Sequence, residues 1–322
     1  MSWPDLGPAE TAPQKDVPTQ ESESGYSHQS YADSLVEFGR PRFLAGCGGW
    51  ILEREIPDTE ARDAMGCYPI FSCRNWSLLA SDLERLDGIV SLVLVSDPFG
   101  GYSEALLASA FPDLVLRFKE HFVSDLGQTP DSFVTTHHMY YARKALEKVT
   151  VERCDDPASA REEWTALYAA LVKRHQLSGM KAFSESAFAR QLEVPGLIML
   201  RARHEGRTVG AHLWYEQGDV AYSHLTASSA TGYDLMAAYA LSWTALNYFG
   251  GKVGWLDWGA GAGLTTDGSD GLSRFKRGWA NDKRAVFLCG RIFDRSRYEK
   301  LARAKGDTRR PYFPAYRVDE LS

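Results

Sequence analysis

The stretch from Val220 to Gly278 constrains the fold of this 322-residue chain more than any other part of the sequence. It begins with β-branched and aromatic residues typical of a strand, and the small residues 227–232 then predict a turn with accessible backbone N–H groups. Residues 233–249 are apolar on several faces, which predicts a buried helix, and residues 255–258 predict a short buried strand. A glycine loop and the pair Phe275-Lys276 complete the stretch. The pattern therefore predicts two strands connected by a helix, with a glycine-rich connection after the second strand.

The rest of the chain alternates between strand and helix patterns, which is typical of an α/β layered fold. In the first half, the patterns predict strands at 50–52, 64–71, 89–95 and 133–141 and helices at 78–86 and 103–126. In the second half, they predict helices at 157–175 and 184–192 and strands at 196–203, 208–215 and 220–226. Residues 1–34 are rich in Pro, Glu, Gln and Ser and hold few large apolar residues, so we expect a disordered tail there.

Four motifs of the stretch resemble a known family. They are His224-Leu225-Thr226, Gly232-Tyr233, Leu256-Asp257-Trp258-Gly259 and Gly271-Leu272-x-x-Phe275-Lys276-x-Gly278. Together they resemble the closing half of the Fem-type (FemABX-like) peptidyl and aminoacyl transferases of the GNAT acyltransferase superfamily, over about residues 150–292. The resemblance implies an α/β (α+β), tandem GNAT-like fold with two mixed-sheet units and flanking helices. It divides the chain into a tail (1–34), a first unit (35–148), a second unit with the donor site (149–292) and a basic C-terminal helix and tail (293–322).

Three residues of the stretch are candidates for catalysis. The resemblance places Lys276 at the reaction centre, where a cation can neutralise an oxyanion or orient a donor phosphate. Asp257 lies in an apolar strand, so we expect it to be either a structural hydrogen-bond acceptor or a reactive carboxyl of the site. His224 is the candidate general base, and the alternative for it is a histidine packed against a helix.

Four further residues are candidates for binding the donor. By resemblance, the donor lies between two splayed parallel strands, here 220–226 and 255–258, and the helix start after the first strand faces its phosphate or carbonyl oxygen. Ser229 and Gly232 belong to that helix start, and Tyr233 either hydrogen-bonds the substrate or packs. Phe275 either stacks on the donor or anchors its loop in the core. The R/Q-x-x-G-x-G/A signature of coenzyme A binding is not intact in residues 228–233, which disfavours ordinary coenzyme A.

Two other features of the first half bear on ligands. The glycine-rich loop 97–102 is a candidate acceptor-binding edge, and the alternative is a plain strand-to-helix connection. His137 and His138 suggest a metal ligand pair, but adjacent residues of a strand point to opposite faces. We therefore expect no metal site.

The distribution of charge bears on the donor as well. The formal net charge is -6, yet residues 271–317 hold 14 Lys or Arg against 4 Asp or Glu. This segment is a candidate surface for a polyphosphate or an RNA end, and the alternative is the solvated face of a C-terminal helix. No window approaches about 18 uninterrupted apolar residues, so we expect no membrane insertion. Five cysteines without a C-x-x-C pattern, and no visible secretory signal, predict a reduced, cytoplasmic protein.

The sequence thus predicts a Fem-like GNAT-fold N-acyltransferase that forms an amide bond, moving an aminoacyl or acyl group from an activated donor to an amine acceptor. Aminoacyl-tRNA is narrowly favoured as donor over an acyl-CoA or carrier-protein thioester; we expect no bound cofactor and no DNA partner. The pattern WLDWGAGAG also suggests the first motif of an S-adenosylmethionine methyltransferase. However, no apolar-periodic helix follows it, and about 60 residues remain, too few for the rest of a doubly wound sheet. A non-catalytic binding protein is the last alternative.

Overall fold

The computed structural model describes residues 23–177, 179, 182–262, 270–305 and 312–317. Its strands are β1 (Arg40–Leu44), β2 (Gly49–Glu55), β3 (Arg62–Gly66), β4 (Ser91–Val95), β5 (Leu114–Asp125), β6 (Thr150–Cys154), β7 (Leu197–His204), β8 (Arg207–Gln217), β9 (Val220–Ser228), β10 (Trp255–Gly259) and β11 (Asp282–Ile292). Its α-helices are α1 (Gln29–Ser34), α2 (Leu79–Glu84), α3 (Glu104–Ala110), α4 (Pro130–Phe133), α5 (Thr136–Leu146), α6 (Arg161–His175), α7 (Glu185–Gln191), α8 (Ala230–Asp234), α9 (Ala237–Phe249), α10 (Gly271–Arg277) and α11 (Arg295–Ala304). Short 3-10 helices occupy Gly25–Ser27, Trp76–Leu78 and Pro157–Ala160.

The described strands form a single mixed sheet whose order is nearly symmetric. The order is β1-β2-β3-β4-β11-β5-β10-β9-β8-β7-β6. One parallel pair lies on each side of the central β11–β5 pair, namely β3 with β4 and β9 with β10. The first half of the chain contributes β5 to the second half's strands, and the second half contributes β11 to the first half's strands. The predicted mixed α/β architecture is confirmed, and one sheet joins its two halves; the boundary at residue 148 stays a prediction.

Helices cover both faces of the second half of the sheet. On one face, α5 and α9 pack over a core that includes Trp214 and Trp258. On the other face, α6, α7 and the N-terminal segment pack over a core that includes Tyr215 and Tyr222. In the first half, α2 and α3 cover a third core around Phe71.

The N-terminal segment is ordered from residue 23, so the prediction of a tail reaching residue 34 is wrong for its last part. Tyr26 and Tyr31 are 2% and 0% exposed, and both rings lie within 5.7 Å of the ring of His224 and within 5.4 Å of that of Tyr215. Residues 1–34 are polar on average, but the two tyrosines bury enough apolar surface to order the part of this segment that contains them. Residues 1–22 lie outside the described residues.

Two predicted elements of the first half are also wrong. The helix α3 ends at Ala110, and residues 114–125 form a strand instead of continuing the helix to residue 126. Pro112 explains this end, because proline disfavours helical conformation in the residue before it. Residues 136–141, predicted as part of a strand, belong to α5, which Thr135 caps and which packs against α9. Tertiary packing here overrides the strand propensity of the aromatic residues.

The basic C-terminal segment divides into two distant parts. Lys276 and its basic neighbours lie on α10, whereas α11 follows the far end of β11. Because β11 has 11 residues and a strand rises about 3.3 Å per residue, roughly 35 Å separates α10 from α11. Arg295 and Arg297 of α11 are exposed. This helix therefore has the solvated basic face given above as an alternative, and only the α10 part of the segment lies near Lys276.

Candidate active site

The parallel strands β9 and β10 separate after three paired residues. Their pairing is confined to residues 220–222 and 255–257. Beyond Tyr222, β9 continues along β8 to Ser228. The strand β10 ends at Gly259, where the chain turns with a φ of +75° that suits glycine. The result is a gap between the carboxyl ends of two parallel strands, a place where α/β sheets commonly bind ligands.

Lys276 lies on α10 at the mouth of this gap. Its Nζ donates a hydrogen bond to the carbonyl oxygen of Ala260 over 2.8 Å. A Cβ atom at Gly259 would come within 3.1 Å of the same Nζ, so glycine leaves room for the ammonium group. Burial lowers the pKa of Lys276 to about 8, although the nearby Asp257 carboxylate opposes this shift. Lys276 is therefore mostly a cation at neutral pH, and it loses its proton more readily than an ordinary lysine.

Asp257 forms a hydrogen-bonded pair with His121 of β5. The Nδ1 atom of His121 lies 2.8 Å from Oδ2 and 3.0 Å from Oδ1 of Asp257. The backbone N–H of Gly259 also donates to Oδ1, over 2.7 Å. Asp257 and His121 are only 2% and 9% exposed. Asp257 thus accepts hydrogen bonds, as in the first of the two alternatives given above, and it does so next to Lys276.

Sequence reasoning missed His121, because residues 103–126 were expected to be one helix. In the extended strand β5, Lys119 and His121 lie on the same face of the sheet. Lys119 Nζ donates to the carbonyl oxygen of Gly261 over 3.3 Å, and its charge further lowers the pKa of Lys276. Pro112 was the available signal, since a helix that ends before it leaves residues 114–125 free to form a strand.

His224 lies apart from this corner, in the aromatic cluster beneath α1 and α7. Its Nδ1 atom is 3.2 Å from the Tyr26 hydroxyl, and its Nε2 atom is 3.2 Å from Oε1 of Gln191. Burial lowers the pKa of His224 to about 3. Because both ring nitrogens already have partners and the imidazole resists protonation, the surroundings of His224 match those of a packed histidine and do not suit a general base.

The predicted donor-binding residues Ser229, Gly232 and Tyr233 lie at the start of α8. Ser229 caps this helix, since its Oγ accepts a hydrogen bond from the Gly232 N–H over 3.1 Å. A Cβ atom at Gly232 would lie 2.0 Å from the carbonyl oxygen of Val209, so only glycine allows this close approach. The ring of Tyr233 is 37% exposed and carries the guanidinium of Arg174 at 3.9 Å. Local packing thus accounts for Ser229 and Gly232, while Tyr233 remains accessible at the end of β9.

Phe275 anchors α10 in the core between the sheet and helices α5 and α9. Its ring lies 5.0 Å from that of Tyr239 and 5.7 Å from that of His138, and its carbonyl oxygen accepts a hydrogen bond from His138 Nε2 over 2.9 Å. A Cβ atom at Gly278 would overlap the His138 ring at 2.0 Å. The anchoring alternative therefore describes Phe275, and the adjacent Lys276 reaches the gap because Phe275 holds the helix in place.

The loop after β4 reaches across to this corner from the first half of the chain. The Tyr222 hydroxyl donates to Oδ1 of Asp97 over 2.9 Å, and Ser72 Oγ donates to Oδ2 over 2.8 Å. Burial raises the pKa of Asp97, although these hydrogen bonds oppose the shift. The ring of Phe99 lies 5.6 Å from that of Trp255. The loop 97–102 therefore borders the paired part of β9 and β10.

Three features of other protein classes are absent from the residues that the structure describes. No helix there is both long and apolar enough to cross a bilayer. No three His, Cys, Asp or Glu side chains are grouped there as a metal site. The five cysteines are buried and form no disulfide.

Comparisons with known proteins bear on the family and on the fold. Residues 135–277 match the family model of the acetyltransferase (GNAT) domain. The fold is similar to that of FemX, with a TM-score of 0.62 and 12% identity over 84% of this chain and 93% of FemX. It is also similar to L-PGS from Bacillus licheniformis, with a TM-score of 0.54 and 14% identity over 89% of this chain and 97% of that one. No curated protein matches the sequence significantly.

The domain match and the shared fold concern different shares of the chain. Residues 135–277, which include Lys276, are similar to an acetyltransferase (GNAT) domain, and the fold of most of the chain is similar to that of FemX. At identities of 12% and 14%, the solved structures establish the fold only.

Proposed function

We propose that this protein is an acyltransferase that forms an amide bond by moving an aminoacyl or acyl group from an activated donor to an amine, with aminoacyl-tRNA as the favoured donor. The observation that carries the proposal is the gap between β9 and β10 with the Lys276 ammonium at its mouth. In this proposal, the acyl group lies in the gap and its carbonyl oxygen faces Lys276. The donor is a co-substrate that arrives already activated, so no resident cofactor takes part.

Lys276 supplies the charge that such a reaction needs. Negative charge develops on the carbonyl oxygen when the amine attacks, and a fixed cation stabilises this charge without reorganisation. The hydrogen bond to Ala260 holds Nζ in place, and partial burial strengthens the attraction because the local dielectric is lower than that of water. The amine attacks the donor carbonyl directly in this scheme, without a covalent enzyme intermediate.

The acceptor is proposed to approach over the face that carries Tyr222, Trp255 and the loop 97–102. On this face, the guanidinium of Arg284 lies 4.2 Å from the ring of Phe99 and 4.4 Å from that of Trp255. Flat rings and a guanidinium suit an acceptor that carries hydroxyl or anionic groups besides its amine, such as a cell-wall precursor, a polysaccharide or a specialised metabolite. The first half of the chain would then contribute directly to acceptor binding.

Two observations favour the tRNA donor over a thioester. Lys119 and the α10 residues Arg274, Lys276 and Arg277 place positive charge around the gap, where an RNA end would bring phosphates. Residues 228–233 lack the coenzyme A signature, and Ser229 is committed to capping α8. The remote helix α11 contributes nothing to this argument. A coenzyme A or carrier-protein thioester remains the alternative donor.

A two-donor assay tests the proposal. Purified protein and a panel of amines are incubated either with tRNA charged with labelled amino acids or with labelled acyl-coenzyme A and acyl-carrier thioesters. Label passing from tRNA into an RNase-resistant product supports the proposal in full. Label passing only from a thioester contradicts the proposal of a tRNA donor but supports the proposed acyltransferase activity. No transfer from either donor, even to the amines of a cell extract, contradicts the proposal.

A further inference from the structure

A proton must leave the acceptor nitrogen in this reaction, and we propose that Nε2 of His121 accepts it. The inference rests on the proposed function and adds to it the residue that makes the acceptor nucleophilic. An alkyl amine is mostly protonated at neutral pH, since amines of this kind have a pKa of about 10. The ammonium form has no lone pair, so attack on the donor requires a base within hydrogen-bond reach.

Asp257 prepares His121 for this role by selecting its tautomer. A carboxylate only accepts hydrogen bonds, so the nitrogen facing Asp257 at 2.8 Å, Nδ1, carries the ring proton. The lone pair of the neutral imidazole is then on Nε2. This atom makes no hydrogen bond to the residues that the structure describes. When Nε2 takes up a proton, the Asp257 carboxylate stabilises the imidazolium that forms.

Two other buried histidines, His224 and His138, lack this arrangement. His224 has a partner on each ring nitrogen, the Tyr26 hydroxyl and the Gln191 side chain. His138 likewise binds Thr135 through Nδ1 and the Phe275 carbonyl through Nε2. His121 thus combines a carboxylate on one nitrogen with an unoccupied second nitrogen at the end of the strand gap.

The surroundings of His121 contain both the charge needed for acyl transfer and the surface proposed for the acceptor. Arg284 lies opposite His121 in the β5–β11 register, and the charge of Asp257 acts on both Lys276 and Tyr222. The charged and titratable groups around the His121–Asp257 pair include Tyr26, Asp97 after β4, Lys119 on β5, Tyr222 on β9, Lys276 on α10 and Arg284 on β11. The base and the cation therefore both lie beside Asp257.

The proposed step balances as follows in atoms and protons. The acceptor ammonium gives one proton to His121 Nε2, and its nitrogen lone pair attacks the acyl carbon, forming the new C–N bond. The bond from the acyl carbon to the ribose oxygen of the tRNA donor, or to the thioester sulfur, then breaks with its electron pair leaving on that atom. The second nitrogen proton goes to the leaving atom, the amide keeps the third, and His121 releases its proton to solvent.

His121→Asn is the variant that isolates this role. The asparagine amide can still donate a hydrogen bond to Asp257 from near the Nδ1 position, but it has no basic nitrogen. We expect kcat to fall about 100- to 10,000-fold, while the KM for the donor stays unchanged. The matched control is His204→Asn on β7, since His204 also binds through Nδ1, to the Lys148 carbonyl, and lies outside the site. This control should transfer at the wild-type rate.

The pH profile separates a base from a merely structural residue. If a base of the enzyme takes up the amine proton, the wild-type kcat should fall at acidic pH, where a general base is no longer free to accept a proton. In His121→Asn, that limb should be replaced by a rate that, below about pH 8, rises about tenfold per pH unit with the fraction of free amine. A purely structural defect would stay low at every pH. If thermal unfolding shows that His121→Asn is unstable, His121→Gln takes its place with the same expectations.

Failure of this inference is distinguishable from failure of the proposed function. If the wild type transfers acyl groups and the folded His121 variant transfers at a similar rate with the same pH profile, His121 is not the base and the acyltransfer function stands. If the wild type transfers from neither donor, the proposed function fails and this inference fails with it.

Discussion

The two parallel strand pairs of the sheet have the same topology but differ at their carboxyl ends. In the first half, β3 and β4 pair at residues 64–65 and 92–93, and Phe71 then returns as a parallel bridge to Ser96. The Phe71 N–H donates to the Val95 carbonyl over 2.7 Å, and its side chain is fully buried. In the second half, the gap after Tyr222 is bordered by Asp257 and Lys276 instead. The first half thus has a buried aromatic side chain at the position where the second half has its candidate site.

The difference shows how one fold can confine its chemistry to one half. After β3 the chain folds back beside β4, whereas after β9 it enters the capped helix α8 at once and leaves the gap open. The first half nevertheless contributes to the site, because β5 crosses into the second half and brings His121 to Asp257 and Lys119 near Lys276. The candidate site therefore depends on both halves, and topology alone does not define it.

Phe71→Ala should have the largest effect, and it should be an effect on stability. Removing this fully buried phenyl ring from its place beside the end of β4 leaves a cavity, which costs about 3–5 kcal/mol of unfolding free energy. Denaturant unfolding measures this loss, and Phe43→Ala is the matched control because Phe43 is 40% exposed on β1. If the folded Phe71 variant instead lost turnover while keeping its stability, the first gap would take part in the chemistry and the contrast between the halves would fail.

Lys276→Ala should have the next largest effect, this time on turnover. Loss of the cation that faces the developing oxyanion is expected to lower kcat about 100- to 1000-fold. Steady-state transfer assays measure the change, with Lys300→Ala as control because Lys300 is exposed on the remote helix α11. Wild-type turnover by the Lys276→Ala enzyme would show that the Lys276 cation does not stabilise the developing oxyanion.

The same lysine predicts how activity depends on alkaline pH. Burial lowers the pKa of Lys276 to about 8, so the cation is present below this pH and is lost as the pH rises through it. If the cation is the active form, kcat should fall about tenfold per pH unit above about pH 8. Lys276→Arg should shift this fall to higher pH, since arginine stays protonated. Turnover that increases above pH 8 would show that neutral Lys276 acts as a base.

Ser229→Ala should have the smallest effect. Ser229 lies directly after β9, where it caps α8. The loss of a helix cap costs about 1 kcal/mol, and the donor KM should remain unchanged if Ser229 serves only to start α8. Ser229→Thr keeps the hydroxyl and is the control for both measurements. A tenfold rise in donor KM for the alanine variant alone would establish Ser229 as a donor ligand.

Much of the second half could be predicted because its signals are local. The structure has helices and strands close to the positions that caps and periodicity predict for residues 157–228. The same holds for the buried helix 237–249 and for the short strand at Asp257. The first half was harder, since a single proline decides between helix and strand for residues 114–125. Residues 136–146 needed their packing partner α9 to favour a helix.

The sequence by itself determined the strand–helix–strand order of residues 220–259, because periodicity, caps and glycines act over a few residues. The Phe275-Lys276 pair was marked by the family resemblance of its motif. Only the tertiary structure decided which histidine meets a carboxylate. His121 reaches Asp257 across 136 positions of sequence, through the exchange of β5 between the halves. The N-terminal Tyr26 occupies one nitrogen of His224 from 198 positions away. Strand register and side-chain partners over such separations depend on the packing of the whole sheet, which no local pattern encodes.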